Sequence, residues 1–450
     1  MVNPAEQTLP RRFLLFLGPL VLTNVLQALS GTLNHIYLGR MLGAQAMASA
    51  VSFFPVFMLL IAFVIGLGTG ASILVGQARG ARQMDKVRQV SGAVLWGGVL
   101  LGLVLALLGV GLAPRLLQAL GIPPEIRGEA VAYARVMLGG LPVFFASMLA
   151  AAALRGMGDT VTPLRMLMVS CVTTAVLTPG LIKGWFGMPS LGVASAAWGS
   201  VAGALLSLVW LAWHLERTGD TLAPRTLVAY LRPDAKVLRT VARLGIPTGL
   251  FFITGSLADL ALLSLVSRHG VHATAAWGAV NQAMTYALFP AMSISIAASV
   301  FAAQAIGAGQ LTQVARVARV GLLMNLVLTG TLALLVALLA PQVAALFVKD
   351  LAVIELVTQA LRIAVWGAVI FGLASVFSGV MRAAGTVRVP TAISLGCLAL
   401  LLFPLGWAFG VAFGLPFIWL TYPVTYACAL LLQAAYFHGI WKARPISKLV

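Results

Sequence analysis

Long apolar runs separated by short polar or Gly/Pro-rich breaks dominate this chain. Twelve of them, near 13–38, 46–75, 90–113, 130–154, 163–182, 190–214, 243–267, 273–303, 317–340, 357–381, 390–412 and 416–438, have the length for a membrane crossing. A helix needs about 20 apolar residues to cross a hydrocarbon core of roughly 30 Å. The period-two alternation of a membrane barrel is absent, and a helix closes its backbone hydrogen bonds within itself. The pattern therefore predicts an all-α integral membrane protein. The first run is unusual: LTNVLQALSGTLNHIYLGRMLG, from Leu22 to Gly43, sets polar side chains among leucines and valines. Asn24, Gln27, Gly31 and Asn34 recur at spacings of three, four and three, which puts them on one helical stripe. Amides left unpaired in lipid are expensive, so the stripe is expected to face a cavity or to bond to another helix. His35, beside it, is suited either to titrate near neutral pH or to anchor the interface.

Composition agrees with the pattern: 61% of residues are hydrophobic and 9% charged, and mean hydropathy is +1.02. The formal charge of +18 suits nucleic acid or a loop-orienting bias equally well until position is considered. Of the 29 Lys and Arg, 21 fall with the N-terminus, the even-to-odd connections and the C-terminus, most densely at Arg79 to Arg88 and Arg217 to Arg243. That asymmetry predicts a bacterial cytoplasmic (inner) membrane protein with both termini in the cytoplasm and its basic loops against anionic lipid, with no nucleic-acid partner. The first run is too long for a signal-peptide core and lacks a small-residue cleavage pattern, so it is expected to stay as a helix. Cys171, Cys397 and Cys428 all fall inside predicted spans at no metal-ligand spacing, which predicts neither disulfides nor a metal site.

Sliding the chain against itself by 227 residues aligns rare residue types over about 145 positions without a gap. Gly18 meets Gly245, Gly43 meets Gly270, Gln77 and Gly80 meet Gln304 and Gly307, and Pro114 meets Pro341. Arg135 meets Arg362, Arg155 and Gly158 meet Arg382 and Gly385, and Pro163 meets Pro390. Each repeat holds six spans, so both enter the membrane from one side. Two six-helix lobes related by a pseudo-two-fold axis along the membrane normal are expected, an architecture of transporters. The lobes are 1–214 and 243–450, joined by a cytoplasmic connection at 215–242, and the chain is expected to act as a monomer. Gly76, Gly80, Gly156 and Gly158 stand at span ends as caps and turns require, with Arg79 and Arg155 placed to meet lipid phosphate or carbonyl ends.

IYLGRMLGAQAMASA after the first span, GQARGAR (76–82) with its echo AAQAIGAG (302–309), LRGMGDTVTP (154–163) with its echo MRAAGTVRVP (381–390), and LGVASAA (191–197) occur in the order and spacing of a known family. Over nearly its whole length the chain resembles the multidrug and toxic compound extrusion (MATE) transporters, and more loosely their DinF-like branch. The resemblance implies twelve helices in two lobes around a central cavity, and export of substrate in exchange for inward H+ or Na+, with no other cofactor.

A coupled antiporter needs a group within the membrane that changes charge, and ten of the eleven acids lie in loops or at span ends. Asp259 alone lies deep in a span, about 24 Å from Arg243 at the helical rise of 1.5 Å per residue. Thr248, Gly255 and Asp259 share a stripe, with Leu250, Ile253, Leu257 and Leu260 elsewhere on the wheel. Low dielectric disfavours the charged form of a carboxyl at that depth, which suits proton exchange; bonding to a neighbouring helix is the alternative use. The family commonly has Asp where this chain has Asn34 and Thr178, and some members have Glu at what aligns with Gly255. The resemblance therefore leaves the coupling ion open between H+ and Na+. On the eighth span Asn281, Gln282, Tyr286 and Met292 are candidate cavity residues, with Trp277, Met284 and Ser295 nearby. Aromatics and methionines suit lipophilic cations and ordinary helix packing alike. Pro19 and Pro247, inside spans one and seven, are candidate hinges. The expected function is a secondary active exporter of amphipathic, cationic organic compounds. The alternative is a flippase for a lipid-linked precursor, which would line its cavity with basic residues that these spans almost lack. An enzyme is not expected, because no nucleophile, acid–base or metal cluster shares one depth.

Overall fold

The computed structural model describes residues 8–187, 189–446, 448 and 449. Helices make up nearly all of it, and no strand occurs among the described residues. Eleven helices there are long and apolar enough to cross a membrane, and one bent pair supplies a twelfth crossing. We number them α1 (Leu9–Met41), α2 (Ala44–Gly80), α3 (Met84–Ala119), α4 (Pro124–Gly139), α5 (Leu141–Met157), α6 (Val161–Lys183) and α7 (Ala194–Thr218). There follow α8 (Ala235–Ser267), α9 (Val271–Gly307), α10 (Leu311–Leu338), α11 (Ala340–Phe347), α12 (Leu351–Ala383), α13 (Arg388–Phe413) and α14 (Thr421–Gly439). Several overshoot the expected spans by a turn or more at one end, and α3 does so by six residues at both. The 37 residues of α2 reach about 55 Å at 1.5 Å per residue, well past a hydrocarbon core.

The repeat appears in the backbone as well. Gly43 and Gly270, one offset apart, precede α2 and α9 with φ 93° and 98°, and both have ψ near 180°. A side chain is strongly disfavoured in that conformation, so the same tight entry into the second helix fixes glycine in both halves. Gly158 and Gly385 repeat the pattern after α5 and α12, at φ 93° and 81°.

Two expected spans are not the continuous helices that the apolar runs suggest. The run at 130–154 is a bent crossing in which α4 meets α5 at 46°. Pro142 at the start of α5 cannot donate to the preceding turn, and Gly139 and Gly140 supply the flexible joint. A Cβ on Gly140 would overlap Val201, and one on Gly102 would come within 2.8 Å of the Pro142 backbone. In the other half, α12 runs unbroken through the equivalent positions. The ninth span, expected at 317–340, contains a π turn over Asn325–Thr329. There the fully buried Asn325 donates from Nδ2 to the Val369 carbonyl at 2.8 Å, and Thr329 Oγ1 donates to Asn325 Oδ1 at 2.9 Å.

Contacts gather the described residues into two compact units: those within Leu22–Ile246, and those within Met1–Val21 and Pro247–Val450. Both α1 and α8 therefore change unit partway along. The changes come two residues after Pro19 and immediately before Pro247, the two prolines of the predicted hinges. The first unit includes the connection after α7, which is pinned to the start of α3: Arg88 Nε donates to the Thr221 carbonyl, and the Tyr230 hydroxyl to Asp85. The second has a core around Leu262, Val280, Leu361, Leu402 and Trp419.

Candidate functional site

In the unit formed mainly by Pro247–Val450, the carboxyl of Asp259 is half-buried on α8. Tyr422 of α14 donates its hydroxyl to Asp259 Oδ1 at 2.7 Å. Aromatic rings surround this pair. Trp277 lies 6.5 Å from Tyr422 and 6.0 Å from Trp419; Tyr426 lies 6.3 Å from Tyr422, and Phe371 lies 5.2 Å from Tyr426. No Lys or Arg forms an ion pair with Asp259 among the described residues, so a hydroxyl and ring faces provide its setting. On α8, Leu250, Leu257 and Leu260 are 48–62% exposed and Thr248 is buried, while Ile253, expected on the same side as those leucines, is half-buried like Gly255 and Asp259. A Cβ built on Gly255 meets nothing within 4 Å, so open space borders the turn before Asp259.

The candidates on α9 lie apart from this arrangement. Asn281 is half-buried and its carbonyl accepts from Thr285 Oγ1 at 2.9 Å, while Gln282 is exposed. Tyr286 stands edge-on to Phe289 at 5.6 Å, and Met292 is half-buried. Met284 packs against the core, and Ser295 donates to the Ser375 carbonyl at 2.8 Å in the seam with α12.

In the unit formed by Leu22–Ile246, the polar stripe of α1 divides. Gln27 and Gly31 are exposed and Asn24 is half-buried. Asn34 turns into the seam with α6 and α7: its Nδ2 donates to Ser200 Oγ at 3.1 Å, and Thr178 Oγ1 donates to its Oδ1 at 3.4 Å. Thr174 donates to the Gly199 carbonyl at 3.1 Å, and a Cβ on Gly199 would overlap Thr178. Both of the amide functions of Asn34 are thus engaged in helix contacts. His35 is half-buried, and its Nδ1 is closed off without a hydrogen-bond partner.

Of the remaining acids, Glu6 lies outside the described residues. Asp159, Asp220, Asp234 and Asp350 accept from backbone N–H groups just after them, at loop turns and helix starts. No group of three or more His, Cys, Asp or Glu that could hold a metal occurs among the described residues. Asp259 is conspicuous in the sequence as an acid within a span, whereas its hydrogen-bond partner Tyr422 is not. The signal available was TYPVTY at 421–426, two tyrosines four apart and therefore on one helix face.

This geometry defines a polytopic helical membrane protein with duplicated halves and one carboxyl in an aromatic setting within a crossing. A model of the MatE family matches residues 19–179 and 247–408, one stretch in each half. The chain belongs to the MatE family, whose members are membrane transporters and not enzymes. It is 37% identical over 443 residues to the probable multidrug resistance protein YoeA of Bacillus subtilis, covering 98% of this chain and 96% of that one. It is 26% identical to the probable multidrug resistance protein NorM of Thermotoga maritima, over 82% of this chain and 79% of the other. Its fold is shared with the outward-facing structure of a multidrug resistance MATE transporter of the MOP superfamily. That likeness has a TM-score of 0.86 at 21% identity, over 96% and 97% of the two chains. The Vibrio cholerae MATE transporter VcmN is similar as well, with a TM-score of 0.89 at 18% identity over 97% and 98%.

Proposed function

We propose that this protein is a secondary active multidrug exporter. It moves amphipathic, cationic organic compounds out of the cell in exchange for inward H+ or Na+, from a bacterial cytoplasmic membrane with both termini inside. The observation that carries this reading is the Asp259–Tyr422 bond at 2.7 Å within a membrane crossing. A carboxyl at that depth is expensive to keep charged and has no basic partner among the described residues to neutralise it, so binding an ion there is coupled to its surroundings. Trp277, Tyr422 and Tyr426 present ring faces beside it, which suits lipophilic cations better than anions. The relatives named for multidrug resistance support the substrate class. On α1, Gln27 and Asn24 serve as polar lining, whereas Asn34, expected in the cavity, is taken up in holding α1 to α6 and α7; Pro19 and Pro247 serve as the bending points between states.

The test is export of a fluorescent cation into inverted vesicles under an imposed proton or sodium gradient. Asp259→Asn, which keeps the shape of the side chain and removes its charge, should reduce gradient-driven export to the level of vesicles lacking the protein. Unchanged coupling under both gradients would overturn the assignment.

A further inference from the structure

Arg382, in the last turn of α12, has no acidic partner among the described residues. Its Nη1 reaches Thr248 Oγ1 of α8 at 3.4 Å, and its Nε is closed off from solvent with no hydrogen-bond partner. A guanidinium is always charged and carries five N–H donors, so a buried nitrogen with nothing to bond is a costly arrangement in a protein alone.

The two repeats differ in sequence just after this arginine, although in the first half the carboxylate caps α6 and forms no ion pair with the arginine. The equivalent arginine of the other half, Arg155, is followed four residues later by Asp159; the residue that follows Arg382 at that distance is Thr386. The Thr386 hydroxyl is itself taken up, accepting from Trp441 Nε1 at 3.1 Å. Among the described residues, this end of the second half carries no side-chain carboxylate. From Thr248 to the end of the described chain the acids are Asp259, inside α8, and Asp350 and Glu355 at the opposite end of α12. Around Arg382 the same end carries Arg11, Arg12, Arg316, Arg319, Arg388 and Arg444. The Leu22–Ile246 unit, by contrast, has Asp85, Asp159, Glu216, Asp220 and Asp234 at the corresponding end. The first half offsets part of its basic charge with its own carboxylates, whereas the described residues at the corresponding end of the second half supply none.

We infer that Arg382 and Thr248 form a binding site for a phosphate group. Nε and a neighbouring Nη of the planar fork match two phosphate oxygens, a geometry that a lysine cannot reproduce. The Thr248 hydroxyl, while accepting from Nη1, has its own proton to donate to the same anion. The group has two possible sources, the head of an anionic phospholipid and inorganic phosphate in solution.

Detergent-purified, lipid-stripped protein separates these sources when its thermal unfolding midpoint is followed against dioctanoyl-phosphatidylglycerol, inorganic phosphate and, as a phosphate-free control, dioctanoylglycerol. The expected result is a saturable rise with a phosphate-bearing probe and none with dioctanoylglycerol. A rise with the phospholipid alone identifies the lipid head as the source, whereas a rise with inorganic phosphate as well shows that the phosphate group suffices. Inorganic phosphate acting alone identifies the soluble ion. No rise with either probe, or an equal rise with dioctanoylglycerol, overturns the site. Arg382→Gln should raise the half-saturating concentration roughly tenfold or more, while Arg388→Gln, an exposed arginine at the same end, should leave it unchanged. Equal weakening by the two exchanges would mean diffuse surface charge and would end the proposal, as would no weakening by Arg382→Gln. If that variant does not fold, Arg382→Lys, which keeps the charge and loses the fork, is judged by the same comparison.

Discussion

Gly372 has no side chain because Asn325 occupies the space that one would need. A Cβ there would overlap the Asn325 amide, whose nitrogen is held by the Val369 carbonyl and whose oxygen accepts from Thr329. Gly372→Ala should therefore destabilise the protein by about 1–3 kcal/mol, the range for inserting volume into a packed core. A lower thermal midpoint in detergent would register this. Asn325→Ala in the same chain should recover part of the loss, because the two residues share one space and their effects are not additive. At this scale the sequence was legible where a residue is conspicuous by type. Asp259 stands out as the one acid deep in a span, but Tyr422, 163 residues away, is one tyrosine among several until the fold brings its hydroxyl to the carboxyl. The stripe on α1 was also only half legible. Periodicity places Asn34 on one line with Gln27, but which of them enters a seam depends on where Thr178 and Ser200 arrive.

Helix boundaries behave similarly. The seventh apolar run begins near 243, yet α8 starts at Ala235 because Asp234 caps it: Asp234 Oδ1 accepts from the N–H groups of Lys236 and Val237, each at 3.0 Å. Gln89 Nε2 of α3 donates to its other oxygen at 2.7 Å. These bonds, the Val237 N–H foremost, hold the Asp234 carboxyl below its ordinary value of 3.8. A depressed carboxyl contributes stability that is fully present above its unfolded value and is lost as pH falls through the folded one. Asp234→Asn should thus be less stable than the parent at neutral pH, and the gap should close below about pH 4. Thermal midpoints of both proteins at pH 7, 5, 4 and 3 test this, since every other titrating group is common to the two. The bend between α4 and α5 had its cause in plain view, in Gly139, Gly140 and Pro142, yet a uniformly apolar run does not announce whether a proline bends a helix or is absorbed by it. The π turn in α10 was not legible, because it depends on an amide bond to a carbonyl 44 residues further along.

For the whole molecule, the duplication was the most legible feature, since Gln, Arg and Pro fall into line at one offset and the backbone repeats with them at Gly43 and Gly270. The lobes' internal differences were hidden: the bend and the π turn each occur in one half alone. Sidedness is open to a direct check. In a chain whose Cys171, Cys397 and Cys428 are replaced by Ala, single cysteines at Arg225 and Arg388 should react with an impermeant maleimide in inverted vesicles and not in intact cells. Cysteines at Glu125 and Lys349 should show the reverse.

The sharing of α1 between two units has a consequence for biosynthesis. Phe13 is fully buried, with its ring 4.8 Å from Phe301, and Phe16 lies 5.3 Å from the same ring. The unit that follows, Leu22–Ile246, is contiguous and can pack as it leaves the ribosome. The start of α1, made before it, must wait for a partner nearly 290 residues later in the chain. At a synthesis rate of about 5–20 residues per second, that wait is roughly 15–60 s. Throughout that interval α1 stands half-paired in the bilayer, and the half translated later closes over its start.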